Sequence, residues 1–181
     1  MSIKQINASY LLNDDRLLFR FNTNDGSQFK FWFTRRVTLF ILAATHHLVI
    51  KNLAQMHSPE AAKAIAKFDQ EETQSQLLEQ NQTSQDGYIV SGSYPLGADP
   101  ILVMDVKCTM EQQGLEDILS LDLVLPGGAN VNLKLTGSVL NGMCILLNQL
   151  RVHAAWGEVP QMQTSNMTKD ADAEAVKPSV H

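Results

Sequence analysis

The chain has 181 residues, 44% of them hydrophobic and 18% charged, with a net charge of −5 and a pI near 5.4. That is enough apolar material for one compact domain or two closely packed small ones. The acidic balance argues against a protein held on nucleic acid by bulk electrostatics, because such binding scales with the Lys and Arg contacts offered; local basic patches stay open.

In chain order, Ile3 to Leu11 alternates weakly between apolar and polar residues, whereas Arg16 to Asn22 and Gln28 to Thr34 alternate clearly. Asn24-Asp25-Gly26 between the last two is a hairpin signal, since its residues tolerate positive φ. A three-stranded meander is expected. Thr34 then stands where a helix needs an N-cap, and a helix should run from Arg35 to about Met56. That helix carries two apolar stripes, Val37, Ile41, Ala44, Leu48 and Leu39, Leu42, Val49, Leu53, so it should be buried on two sides. Ser58-Pro59-Glu60 starts a more polar helix to about Glu79, with Ser as cap and Pro in the first turn.

Gln80 to Asp86 reads as a linker, Tyr88 to Tyr94 as strand, and Pro95 to Pro100 as a turn-rich break. Strands are then expected at Ile101 to Met110, Ile118 to Leu125 and Asn130 to Thr136, followed by a helix from about Ser138 to Trp156. From Gly157 onward large apolar residues are scarce and the composition is that of a disordered tail.

The two halves echo each other at an offset of 102 positions. Asp15 falls on Asp117, Leu17 on Leu119, Gly26 on Gly128, Thr34 on Thr136, Val37 on Val139 and Leu48 on Leu150. Phe19, Phe21, Phe29, Phe31 and Phe33 fall on Leu121, Leu123, Val131, Leu133 and Leu135. Strand and helix periodicities both survive one shift, which points to a duplicated unit. The expectation is an α+β fold of two βββα units, 1–56 and 88–156, joined by a connector at 57–87 and followed by a tail at 157–181.

Cys108 and Cys144 lie in apolar patterns without CxxC spacing and read as reduced thiols. The start MSIKQINASY lacks the basic and apolar segments of a signal peptide. The longest apolar stretch, Val37 to Ile50, is too short to span a bilayer and contains His46 and His47. A cytoplasmic location is expected.

The candidate binding residues sit on the first sheet. If the phenylalanines face inward, the opposite face carries Arg16, Arg20, Lys30 and Trp32, with Arg35 and Arg36 just beyond the strand end. Cations around an aromatic on a sheet suit single-stranded nucleic acid, the ring stacking on a base while the cations hold phosphates. An ordinary solvated polar face is the plainer alternative. A second surface, Leu39, Leu42, Val49 and Leu53, is a candidate for self-association. No metal or cofactor is expected: adjacent His46 and His47 point about 100° apart on a helix and lack an HExxH pattern. No nucleophile elbow or phosphate loop is present. Asp14-Asp15 and Glu116-Asp117 read as acidic turns ahead of strands.

In its element order, three or four strands and a helix, twice, the chain resembles the Whirly and transcriptional-cofactor single-stranded-DNA-binding folds. The stretch from Asp15-Arg16-Leu17-Leu18-Phe19-Arg20 through Asn24-Asp25-Gly26 to Phe31-Trp32-Phe33-Thr34-Arg35-Arg36 resembles the N-terminal segment of small uncharacterised proteobacterial proteins, which implies a bacterial origin. Neither resemblance implies a catalytic residue. Three readings follow: a noncatalytic binding or adaptor protein that self-associates, a single-stranded nucleic-acid-binding protein, and an enzyme of unidentified reaction.

Overall fold

A computed structural model of the chain describes residues 3–83, 88, 92–113 and 116–162. The linker expected at Gln80 to Asp86 is helical as far as Thr83; its remainder, most of the expected Tyr88 to Tyr94 strand, and the expected tail beyond residue 162 lie outside the described residues. Among the described residues the fold is mixed α+β, with two sheets and three α-helices. The first meander is β1 (Ile3–Leu11), β2 (Arg16–Thr23) and β3 (Gln28–Thr34), followed by α1 (Arg35–Leu53) and α2 (Pro59–Thr83). The second part begins with the short β4 (Ile101–Leu102) and continues as β5 (Asp105–Gln113), β6 (Glu116–Val124), β7 (Asn130–Thr136) and α3 (Gly137–His153).

Strand order is β1-β2-β3-β4 in one sheet and β5-β6-β7 in the other. The β2–β3 turn is built as its sequence demands: Gly26 takes φ 81°, and Asp25 Oδ1 accepts from the Ser27 amide at 3.1 Å. The expected strand Ile101 to Met110 is split in two. The Val103 amide donates to Trp32 O at 3.0 Å in the first sheet, and the next amide, Met104, donates to Val124 O at 2.8 Å in the second. One extended segment thus leaves one sheet and enters the other within two residues.

Alternation decides which faces are buried. Leu17, Phe19, Phe21, Phe31 and Phe33 of the first sheet, and Leu119, Leu121, Leu123, Leu133 and Leu135 of the second, belong to one hydrophobic core. Phe19 and Phe33 stack at 4.7 Å, and Phe21 and Phe29 at 4.9 Å. The helices cross over between the sheets. α1 follows β3 yet lies more on β5, and α3 follows β7 yet lies more on β1; α2 packs against both helices. Among the strand-following helices, α1 is capped by Thr34, whose hydroxyl accepts from the Val37 amide at 3.3 Å. The cap expected from Thr136 does not form: its side chain makes no capping bond, and the next residue, Gly137, has φ 46°.

Two distant parts of the chain meet at the end of α3. Trp156, expected inside the helix, lies beyond it and is buried, its Nε1 donating to Asp15 Oδ1 at 2.6 Å. Tyr10 donates to the same oxygen at 2.9 Å, and its ring meets those of Trp156 and His153 edge-on at 5.8 and 5.9 Å. The Trp156 and Tyr10 bonds, with Arg35 nearby, hold the Asp15 carboxyl below the usual range; the bond to Asp15 in turn raises the Tyr10 phenol.

Candidate functional site

The outer face of the first sheet is the surface that the pattern singled out, and strand pairing arranges it in rows. Arg20 stands between Asn7 and Lys30 across β1, β2 and β3. One step along, Trp32 stands between Leu18 and Leu102, and at the other side Asn22 pairs with Gln28. These are the residues opposite to the buried phenylalanines, as a period of two requires.

Two tyrosines from the stretch between α2 and β4 cover part of this face. Tyr88 lies against Arg20, the guanidinium carbon 5.1 Å from the ring centre, and Tyr94 lies against Lys30, the ammonium 4.5 Å from its ring centre. The Lys30 ammonium also donates to Ala98 O at 3.0 Å, and Arg20 donates to the Asn7 side chain. Beneath Tyr88, Gln28 Nε2 donates to the phenol oxygen at 2.6 Å, and the phenol donates to Asn22 Oδ1 at 2.7 Å. Burial raises the Tyr88 phenol, so it stays a neutral donor at physiological pH. Among the described residues, Arg20 Nε and Gln28 Oε1 are buried without a hydrogen-bond partner.

The remaining candidate cations divide. Arg36 donates to Met104 O and approaches Asp105 at 3.6 Å, so it ties α1 to the start of β5. Arg16 and Arg35 are exposed, Arg35 beside Asp15 and close to Gly157. Trp32 is half-buried. The face therefore brings Arg20, Lys30 and Trp32 together, with Arg16, Arg35 and Arg36 at its end. Sequence reading missed Tyr88 and Tyr94 as partners; the available signal was two tyrosines six positions apart in a segment that must cross back over the sheet.

The proposed self-association stripe lies deeper. Leu42 is buried in the core, and Leu39, Val49 and Leu53 are half-buried. Val49 and Leu53 line a cleft of about 270 Å³ with Met110, Leu140 and Asn141. The exposed large apolar residue of α1 is Phe40, at 38%.

Burial pushes both thiols, Cys108 and Cys144, up to about 12, which makes them poor nucleophiles at neutral pH. Both are free. Among the described residues no three His, Cys, Asp or Glu side chains gather to hold a metal ion, and no helix is long and apolar enough to cross a membrane. Compared with known proteins, the chain matches no family model, no curated protein and no solved structure.

Proposed function

We propose that this chain is a noncatalytic binding protein that works as an assembly of copies, joined through α1 and the neighbouring strand. The observation that carries the reading is apolar exposure at two residues flanking the Arg36 bridge from α1 to the start of β5. Phe40 is 38% exposed and Met104 49% exposed, and Arg36, one turn before Phe40, bonds to the Met104 carbonyl. Large apolar side chains left in water beside an ion pair such as Arg36–Asp105 suit a contact between proteins. Sedimentation velocity at micromolar protein tests it. A dimer or larger species is expected, and Phe40→Ser should shift it to monomer; a strictly monomeric wild type ends the proposal. Two free, protonated thiols favour a reducing compartment, and a bacterial cytoplasm is the proposed setting.

We also infer that the two halves arose by duplication of a βββα unit. Support comes from the strand bounds and registers: Arg16 pairs with Thr34 and Asn22 with Gln28, as Ile118 pairs with Thr136 and Val124 with Asn130. In a crystal, superposition of β2, β3 and α1 on β6, β7 and α3 is the check, and helices that leave their sheets in different directions would reject it.

A second reading, single-stranded nucleic acid on the first sheet, draws on one observation: Arg20 and Lys30 already stack on aromatic rings, and Trp32 stands in the adjacent row. Base stacking contributes about 1–3 kcal/mol, so Trp32→Ala should weaken oligonucleotide binding by roughly tenfold. Fluorescence anisotropy at low salt measures this. Binding that ignores both the substitution and added salt would reject it.

A further inference from the structure

Away from the first sheet's outer face, β1, α2 and α3 enclose a groove of about 320 Å³. Its walls are apolar: Ile3 and Ile6 from β1, and Val139, Met143, Ile145 and Leu146 from α3. All except Met143 are half-buried, so their remaining exposed surface is available to an occupant. Among the described residues, the polar side chains at the groove are Lys4, Gln5, Gln74 and Gln149, with no carboxylate.

Two features of the chain shape this groove independently. First, the β1–β2 register slips between Ile3 and Gln5, since Ile3 pairs with Thr23 and Gln5 with the adjacent Asn22. Lys4 is the extra residue of that bulge, and bulges re-aim the side chains they carry. Lys4 is exposed and makes no ion pair among the described residues. Second, Gly142 lies in the interior of α3 and lines the groove. Glycine is unfavourable there relative to alanine, and it is normally explained by a backbone bend or a close neighbour. At Gly142 a Cβ would meet nothing within 4 Å, and its φ is not in the left-handed region. Among the described residues nothing packed there requires a glycine. The missing side chain does, however, keep the groove open along its α3 wall.

We propose that this groove binds amphipathic carboxylates: a short unbranched acyl chain lies along the Ile6, Val139 and Leu146 wall, and its carboxylate meets the Lys4 ammonium. A site of about 320 Å³ is at the small end of ligand pockets, which suits a ligand of this size. The charge complement is one cation at one end of an apolar trough, and glutamine amides can donate to the second carboxylate oxygen. This site is separate from the α1 contact and does not depend on it.

The test is a titration of the full chain, followed by amide chemical shifts, with hexanoate, octanoate and decanoate below their micelle-forming concentrations, and with octanol as neutral control. Affinity should rise about fourfold per added methylene, with shifts centred on β1 and α3. Lys4→Gln should weaken octanoate binding severalfold and leave octanol unchanged. Gly142→Leu, which fills the groove from open space, should abolish binding of both with the melting temperature retained; Ile145→Glu serves as a second variant, placing a like charge on the wall, should the leucine disturb folding. The proposal is overturned by absence of saturable shifts with decanoate, by affinity independent of chain length, or by binding that survives both groove variants. It is equally overturned if the wild type dimerises through this groove, shown by sedimentation of a dimer that Gly142→Leu converts to monomer.

Discussion

Thr34 and Thr136 hold the same position ahead of their helices, but only the Thr34 hydroxyl reaches an orphan amide, that of Val37. Thr34→Ala should therefore cost about 1 kcal/mol of stability in denaturant melts, and Thr136→Ala far less. Equal losses would contradict the geometry. At the other end of α3, Ala155 takes φ 52°. The Trp156 amide bonds to Arg151 O and the Ala155 amide to Val152 O, the paired bonds of a Schellman ending with alanine where glycine is usual. Ala155→Gly should stabilise by about 0.5–1 kcal/mol, relief of the left-handed cost outweighing the added freedom of the unfolded chain. Asp15 gives a pH effect. Its folded pKa is depressed, so its contribution is complete above the unfolded value and is lost as pH falls through the folded one. Between about pH 5 and 2, wild-type stability should fall more steeply than that of Asp15→Asn; parallel curves would show that the Trp156 and Tyr10 bonds do not favour the charged form.

Among elements, the strands are the most legible: β3 has the bounds that its clear alternation predicts, β2 runs one residue further, and even the weakly alternating β1 has the expected bounds. Five phenylalanines at period two can bury only one face, and they do so, four fully and Phe29 in part. Phe31→Ala should cost about 3–5 kcal/mol, since this fully buried ring would leave a cavity against Phe19 and Phe21. A loss below about 1 kcal/mol would mean that the sheets relax around it. The break between β4 and β5 was illegible, because Val103 and Met104 continue the apolar run and only their amide partners differ. The tyrosine cover was illegible for another reason: periodicity places residues on a face and says nothing of which loop crosses it. The second stripe of α1 is met within the chain, Leu42 in the core and Val49 and Leu53 beside Met110 of β5 and Leu140 of α3, which leaves Phe40 as the exposed large apolar group of the helix.

For the whole molecule, the crossing of α1 onto β5 and α3 onto β1 makes each sheet depend on a helix from the other half of the chain. Local alternation could not reveal this, because which sheet a helix covers is settled by long-range packing. The switch at Val103 and Met104 then joins the sheets through neighbouring peptide groups. These two amides are reporters of mechanical unity. In native-state hydrogen exchange each can open only when its own sheet opens, so two sheets that breathe independently would give neighbouring amides with unequal protection. Sheets that share one core and exchange helices should open as one cooperative unit, and the Val103 and Met104 amides should then exchange with the same opening free energy and the same denaturant dependence.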